Sequence, residues 1–166
     1  IQEYQVPTQN CYLWGIANVS AYWRGASVVF TEGAGGKIGM LARNGTMFRE
    51  WLVPTLGSSP RKIVYDRGRN GTWFTEYAAG RIGVLFVNQT GPGGVGSNGR
   101  GFFNEYTIPT PNSQPLGIAI DTIGPTPTWR YIWFTESATG KIGRLDPETR
   151  VIREYVVGLS LIHISE

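Results

Sequence analysis

The chain has 166 residues, of which 41% are hydrophobic and 16% charged, with a net charge of +3, 23 glycines and 13% aromatics. It is long enough to bury a core and too apolar to stay disordered, and its scattered bases make no stripe of the kind that binds nucleic acid. No apolar run reaches the roughly 18 residues that a membrane-spanning helix needs.

In chain order, a short segment at residues 1–7 precedes three longer units at 12–54, 60–109 and 115–158, and the units share motifs at fixed spacings. Phe30-Thr31-Glu32, Phe74-Thr75-Glu76 and Phe134-Thr135-Glu136 are three copies of one tripeptide. Five residues past each glutamate stands a base followed by Ile-Gly: Lys37-Ile38-Gly39, Arg81-Ile82-Gly83 and Lys141-Ile142-Gly143. A second series is Glu3-Tyr4, Glu50-Trp51, Glu105-Tyr106 and Glu154-Tyr155, whose first three members run on to Pro7, Pro54 and Pro109. Nine residues past each proline comes Ile16, Ile63 or Ile118. Coincident spacings of this kind define an internal repeat.

Each unit holds four strand-like runs, which in the third are Leu116-Asp121, Tyr131-Glu136, Lys141-Leu145 and Val151-Val157. β-Branched and aromatic residues fill them, and Gly, Pro, Asn or Thr bound them. The four residues between Glu136 and Lys141 end in Gly140 and suit a hairpin loop. Apolar residues fall on both pleat faces, as in Ile132-Trp133-Phe134, so both faces of each small sheet need a cover. A period of roughly 40–50 residues with four strands is a propeller blade, and no window sustains a helical pattern. The expected fold is all-β, a partial β-propeller of about three four-stranded antiparallel blades with strands A to D running outward from the hub. Residues 1–7 read as the outermost strand of a preceding blade. Three blades cannot close a ring, so the missing blades of the same ring are expected partners and two flanks are expected to be open.

Two insertions interrupt the repeat, a Gly-rich one from Asn88 to Gly101 between strands C and D of the second unit, and one at Thr122 to Arg130 between A and B of the third. In an up-and-down blade these turns share one face, opposite the Glu-to-Lys hairpins. The tail, Leu159 to Glu166, fits no repeat position. It is what CTG TCT CTT ATA CAC ATC TCC GAG encodes, a sequence resembling a transposon-end sequencing adapter, so residues 159–166 read as an artefactual tail carrying the only histidine, His163.

Several residues invite a functional reading. Glu32, Glu76 and Glu136 could form a ring of carboxylates at the hub for a divalent cation or a cationic ligand. The structural alternative pairs each with Lys37, Arg81 or Lys141 across its own hairpin. A residue recurring in every blade suits blade building better than an asymmetric site. Gly39, Gly83 and Gly143 read as places where neighbouring backbone comes close, and Trp73 and Trp133 as packing between blades. The single cysteine, Cys11, excludes a disulfide within the chain and reads as a small buried residue. Asn-x-Ser/Thr triplets at Asn18, Asn44, Asn70 and Asn88 favour an extracellular or cell-surface protein, although Asn44-Gly45 and Asn70-Gly71 are also good turn sequences.

Trp-Phe-Thr-Glu at 73–76 and 133–136, followed by Gly-Lys/Arg-Ile-Gly, resembles the blade signature of the streptogramin B lyase (virginiamycin B lyase) family. The stretch Pro109 to Ala119 is similar to the connector between that family's blades. The resemblance covers residues 3–157 and implies a seven-bladed ring. It also implies elimination at the ester bond of a cyclic depsipeptide antibiotic, with Mg²⁺ as cofactor. That reaction needs a base for the α-proton and a cation for the enolate charge. The family places histidine at the hub end of a strand A and again shortly after an F-T-E-like glutamate. Here the first location holds Trp14, Arg61 and Leu116, and the second holds Ala34, Ala78 and Ala138.

The expectation is therefore a lyase-like propeller without lyase activity in this stretch, binding a small molecule, peptide or surface ligand at its hub or rim, with no catalytic residue and no evident cofactor. The alternatives are a Mg²⁺-dependent streptogramin B lyase whose catalytic histidines lie on other blades, and a metal-dependent lactonase propeller.

Overall fold

The computed structural model describes residues 1–19, 26–42, 45, 48–87, 101–121 and 131–157, with residues 26 and 27 described by their backbone alone. The strands are β1 (Leu13–Asn18), β2 (Ala26–Glu32), β3 (Lys37–Ala42), β4 (Phe48–Leu52), β5 (Pro60–Asp66), β6 (Gly71–Glu76), β7 (Arg81–Val87), β8 (Gly101–Thr107), β9 (Pro115–Ile120), β10 (Ile132–Glu136), β11 (Lys141–Leu145) and β12 (Ile152–Val156). They form three four-stranded antiparallel meanders, β1–β4, β5–β8 and β9–β12, each in simple sequential order. The first strand of each sheet packs on the first strand of the next, β1 on β5 and β5 on β9, so these strands line the hub and the others fan outward. That is the arrangement of successive propeller blades.

The repeat in the sequence becomes a repeat in register. Glu32, Glu76 and Glu136 stand opposite Lys37, Arg81 and Lys141, and the four-residue loops between them end in Gly36, Gly80 and Gly140. Those glycines have φ of 62°, 62° and 65°, a conformation in which a Cβ is penalised. Phe30, Phe74 and Phe134 face Gly39, Gly83 and Gly143 across the same hairpins. A Cβ on these glycines would lie 2.2, 2.3 and 2.1 Å from the facing phenylalanine ring. The glycines thus make room for an aromatic ring from the adjacent strand, and not for close backbone as their sequence context suggested.

The core lies between sheets. One cluster joins Val29, Ile38, Met40 and Val53 of the first unit to Ile63, Tyr65, Phe74 and Leu85 of the second. A second joins Trp73, Ile82, Val84 and Ile108 to Ile132, Phe134 and Leu145 of the third. Trp73 is buried in that second interface, while Trp133, in the last sheet, is half-buried. Every residue of β6, the strand with a sheet on either side, is buried.

Residues 1–7, read from the sequence as an outermost strand, carry no strand and pair with none of the described strands. The insertion from Asn88, the insertion at Thr122 to Arg130, the tail with His163, and the triplets at Asn44 and Asn88 lie outside the described residues.

Gly83→Ala should therefore be costly. The Phe74 ring is fully buried and edge-on to Phe103 at 6.1 Å, so it cannot swing away from an added methyl. The expected loss is about 1–3 kcal/mol, or roughly 2–12 °C in Tm, read by thermal denaturation followed by circular dichroism. A Tm within 1 °C of the parent, about the error of such a scan, would contradict this packing role.

Candidate functional site: buried carboxyls, connector turns and the hub

The connector entering each sheet uses two residues in the left-handed region. These are Asn10 and Tyr12 (φ 53° and 48°), Gly57 and Ser59 (69° and 52°), and Asn112 and Gln114 (55° and 49°). The resulting kink aims carbonyls at the hairpin loop. Cys11, Ser58 and Ser113 accept the N–H of Ala34, Ala78 and Ala138, while Tyr12, Ser59 and Gln114 accept that of Gly33, Tyr77 and Ser137. The side chains of Cys11, Ser58 and Ser113 are consequently buried at equivalent positions beneath the loop, and Cys11 is a free thiol there.

The same connectors fix the Glu-Tyr glutamates. Glu50 accepts the backbone N–H and hydroxyl of Thr8, at 3.2 and 2.8 Å, and Glu105 accepts those of Thr55, at 3.0 and 2.9 Å. Glu154 accepts the Thr110 N–H at 3.1 Å. Against each of them lies the hairpin base: Lys37 on Glu50 at 2.7 Å, Arg81 on Glu105 at 3.2 Å and Lys141 on Glu154 at 3.7 Å. This corrects the pairing expected from the sequence. The bases stand opposite Glu32, Glu76 and Glu136 in the ladder, yet their charged ends reach the partly exposed glutamate on the far side. Both partners of that pair keep contact with water, so forming it removes less hydration than burying a cation would.

Glu32, Glu76 and Glu136 are left buried, with 0%, 0% and 1% exposure. Neither carboxyl oxygen of Glu32 or Glu76 receives a donor, and Glu136 receives only the Thr139 hydroxyl, at 3.1 Å. Burial, reinforced by the negative charge of Glu50, pushes the Glu32 carboxyl upward. Burial and the neighbouring Glu105 push Glu76 up to about 8, and burial with Glu154 raises Glu136. The outer partners move the other way. Burial would raise Glu50, but Lys37 and Thr8 hold it below the usual carboxylate range, and Thr110 and Lys141 do the same for Glu154. Burial thus favours the neutral form of the inner carboxyl in each unit, and a protonated Glu76 can donate to the neighbouring Glu105. The structure brings each buried glutamate to a glutamate of its own blade. Among the described residues no three His, Cys, Asp or Glu side chains gather as a metal site. The donor set does not suit Mg²⁺ either, because a Lys or Arg of the same blade already faces each pair.

The middle residue of the F-T-E tripeptide has a role that sequence reasoning passed over. Thr31 accepts the Gly15 N–H at 2.9 Å and donates to the Arg61 carbonyl of the next sheet. Thr75 accepts the Lys62 N–H at 3.1 Å and donates to the Leu116 carbonyl at 3.3 Å. Thr135 accepts the Gly117 N–H at 2.8 Å and lies in the last sheet of the described residues. Each hydroxyl fills the irregularity in the pairing of the first two strands, at Leu13/Ile16, Pro60/Ile63 and Phe134/Glu136. One side chain therefore closes its own bulge and stitches two blades together. The signal was present in the sequence, as three identical threonines.

At the hub end of the inner strands, the Arg61 guanidinium lies 4.4 Å from the Trp14 ring and 3.4 Å from the Tyr77 ring. The Tyr77 hydroxyl donates to Gln114 at 2.8 Å, extending the stack to the third unit. Ala34, Ala78 and Ala138 are exposed on the loops above. None of the side chains at these positions can take a proton from carbon near neutral pH.

No family model and no curated protein sequence matches the chain. Solved structures do. The virginiamycin B lyase of Staphylococcus aureus superposes with a TM-score of 0.71 at 30% identity, over 95% of this chain and 45% of the lyase. A streptogramin B lyase structure gives 0.73 and 28%, over 94% and 44%. The fold is that of a streptogramin B lyase-like β-propeller. This lyase-like chain spans less than half the length of either lyase. The periplasmic gluconolactonase of Pseudomonas aeruginosa, at 11% identity and a TM-score of 0.57 over 88% of this chain and 41% of its own, shares the propeller fold alone.

Two predictions follow from the buried carboxyls and the threonine stitch. Between about pH 4.5 and about 8 the folded chain keeps a proton on Glu76 that the unfolded chain releases, so stability falls as pH rises through that window, by on the order of a few kcal/mol. Glu76→Gln, whose amide donates to Glu105 without titrating, should reduce that slope and raise Tm near the upper end. Chemical denaturation across the window checks this, and a slope as steep as the parent's would contradict it. For the stitch, Thr75→Val should cost about 1–3 kcal/mol, because it strands the Lys62 N–H and the Leu116 carbonyl, while Thr135→Val should cost less than half of that. Equal losses at the two sites, in urea titrations, would rule out a stitch between blades.

Proposed function

We propose that this chain belongs to a lyase-like propeller that binds a small molecule, peptide or surface ligand at its hub or rim, and that it carries no lyase activity of its own. The observation that supports this reading is the occupation of the hub positions. Where the resemblance calls for histidine, the inner strands offer Trp14, Arg61 and Leu116, and the hairpin loops offer Ala34, Ala78 and Ala138. Elimination requires a base within reach of the α-proton, and the guanidinium held between the two aromatic rings is a hydrogen-bond donor with no acceptor site for that proton. Arg61, Trp14 and Tyr77 together present an aromatic, positively charged surface at the hub mouth. An anionic or flat ligand would suit it.

The second reading, a Mg²⁺-dependent streptogramin B lyase with its base on other blades, draws on the 30% identity to the staphylococcal lyase and on the 45% of that protein that the chain spans. The lactonase reading has the fold alone in its favour. The Asn-x-Ser/Thr triplets favour export to the cell surface or beyond, and the Asn18 side chain is exposed as a glycan would need. Asn70 is exposed too, but its side-chain oxygen accepts the Tyr65 hydroxyl within a turn, which accounts for that triplet structurally.

The test is incubation of the purified chain with a streptogramin B depsipeptide and Mg²⁺, the cyclic substrate being followed by reversed-phase chromatography. The expected outcome is an intact macrocycle. Its conversion to the linear product above the protein-free control would overturn the reading.

A further inference from the structure

Three repeat positions that differ from unit to unit meet at one place near the hub. Residues 14, 61 and 116 are Trp, Arg and Leu, residues 33, 77 and 137 are Gly, Tyr and Ser, and residues 12, 59 and 114 are Tyr, Ser and Gln. The differences fit one another. Gly15 lets β1 press against β5, because a Cβ there would collide with the Arg61 carbonyl oxygen. Gly33 makes the seat for Trp14, since a Cβ there would stand 2.6 Å from the indole ring. The indole so placed lies 4.4 Å from the Arg61 guanidinium. Tyr77, at the position that Gly33 holds in the first unit, brings its ring to 3.4 Å from the same guanidinium, and Gln114 of the third unit pins the Tyr77 hydroxyl at 2.8 Å. All of these contacts run between sheets that are neighbours within the chain, so none of them rests on an open flank.

The charge held in this way has no counter-ion. Lys37, Arg81 and Lys141, at the same end of the sheets, each lie on a carboxylate. The Arg61 guanidinium makes no hydrogen bond or ion pair with a described residue, and its Nε is sealed without an acceptor. Arg61 is only half-buried, which leaves the terminal Nη groups as the donors that a ligand can reach.

We propose that the Arg61 Nη groups anchor the carboxylate of a small acidic ligand at the hub, with Trp14 and Tyr77 as positioning residues that fix the plane of the guanidinium. This rests on the reading of the hub as a binding surface and names the ligand's chemistry. Rings against the faces of a guanidinium leave its edge, where two N–H donors in a fixed fork match the two oxygens of a carboxylate. Because the rings already hold the side chain, little ordering remains to be done on binding. A single guanidinium matches a monoanionic carboxylate in charge and leaves a phosphate dianion half-neutralised.

A ¹⁹F NMR titration of the full chain with 4-fluorobenzoate tests this, with 4-fluorobenzamide as the uncharged isostere and 4-fluorophenyl phosphate as the dianion. The benzoate is expected to bind with a Kd on the order of 1–10 mM, about tenfold more tightly than the benzamide and more tightly than the phosphate. Arg61→Gln should lose the binding, with folding checked by far-UV circular dichroism. Arg61→Lys keeps the charge without the fork and should weaken binding by about three- to tenfold. Tyr77→Ala should weaken it by about fivefold, and Tyr77→Phe, which keeps the ring, should restore it to within about twofold. A benzoate that does not bind, a benzamide or phosphate that binds as tightly, undiminished binding in either Arg61 variant, or a Tyr77→Phe no better than Tyr77→Ala would each overturn the proposal. The macrocycle assay is independent: ring opening would refute the absence of lyase activity and leave benzoate binding as it is, whereas failure of the benzoate removes the anchor and leaves the macrocycle result as it is.

Discussion

Every sheet in this molecule depends on the sheet beside it for the cover of one face. A four-stranded meander with apolar residues on both pleat faces cannot be buried by its own side chains, and a second meander of the same kind supplies what is missing. The difference between Ile63 at 8% exposure and Ile16 at 68% is that dependence expressed at one repeat position. Burying a side chain of that size contributes about 1.5–3 kcal/mol, and each interface contains several. The threonine hydroxyl adds direction to a contact that hydrophobic burial alone would leave free to slide. It satisfies an N–H that the inner-strand bulge leaves open and reaches a carbonyl that only the next blade can offer.

A second layer of organisation sits at the hairpin end of each blade, where two glutamates share one base. Geometry decides between them. The glutamate on the outer strand is partly exposed, takes the connector threonine and holds the Lys or Arg in an ion pair. The glutamate on the second strand is sealed beneath the loop, with no donor at Glu32 or Glu76 and only the Thr139 hydroxyl at Glu136, and burial pushes its carboxyl upward in every unit. A base reaching inward would lose its hydration for one contact, whereas reaching outward keeps water on the cation. The buried acid is better regarded as part of the blade's polar lining than as a ligand in waiting.

The residues that build blades recur, and the residues that distinguish one hub position from another do not. Phe-Thr-Glu, the facing glycine and the connector turn appear in every unit. Trp14, Arg61 and Leu116 occupy equivalent places with three different chemistries, and the arginine is held by rings from two units. Among the inner-strand positions the repeat is broken at the hub mouth, and similarity in the repeat carries fold and not reaction.

The amino-acid sequence by itself determined the strand content, the four-strand unit, the hairpin loops closed by Gly36, Gly80 and Gly140, and the burial of Cys11 and Trp73. Those properties are local or periodic, so spacing along the chain exposes them. It did not determine where Lys37, Arg81 and Lys141 send their charge, since ladder position names the opposite residue while a long side chain chooses among all neighbours within reach. It misread Gly39, Gly83 and Gly143, because a ring arriving from the adjacent strand and a backbone arriving from elsewhere both require a missing Cβ. Only the tertiary structure decided the roles of Thr31 and Thr75 and the proton on Glu76. Each of these depends on groups brought together from different strands or different sheets, and no spacing within one unit encodes that meeting.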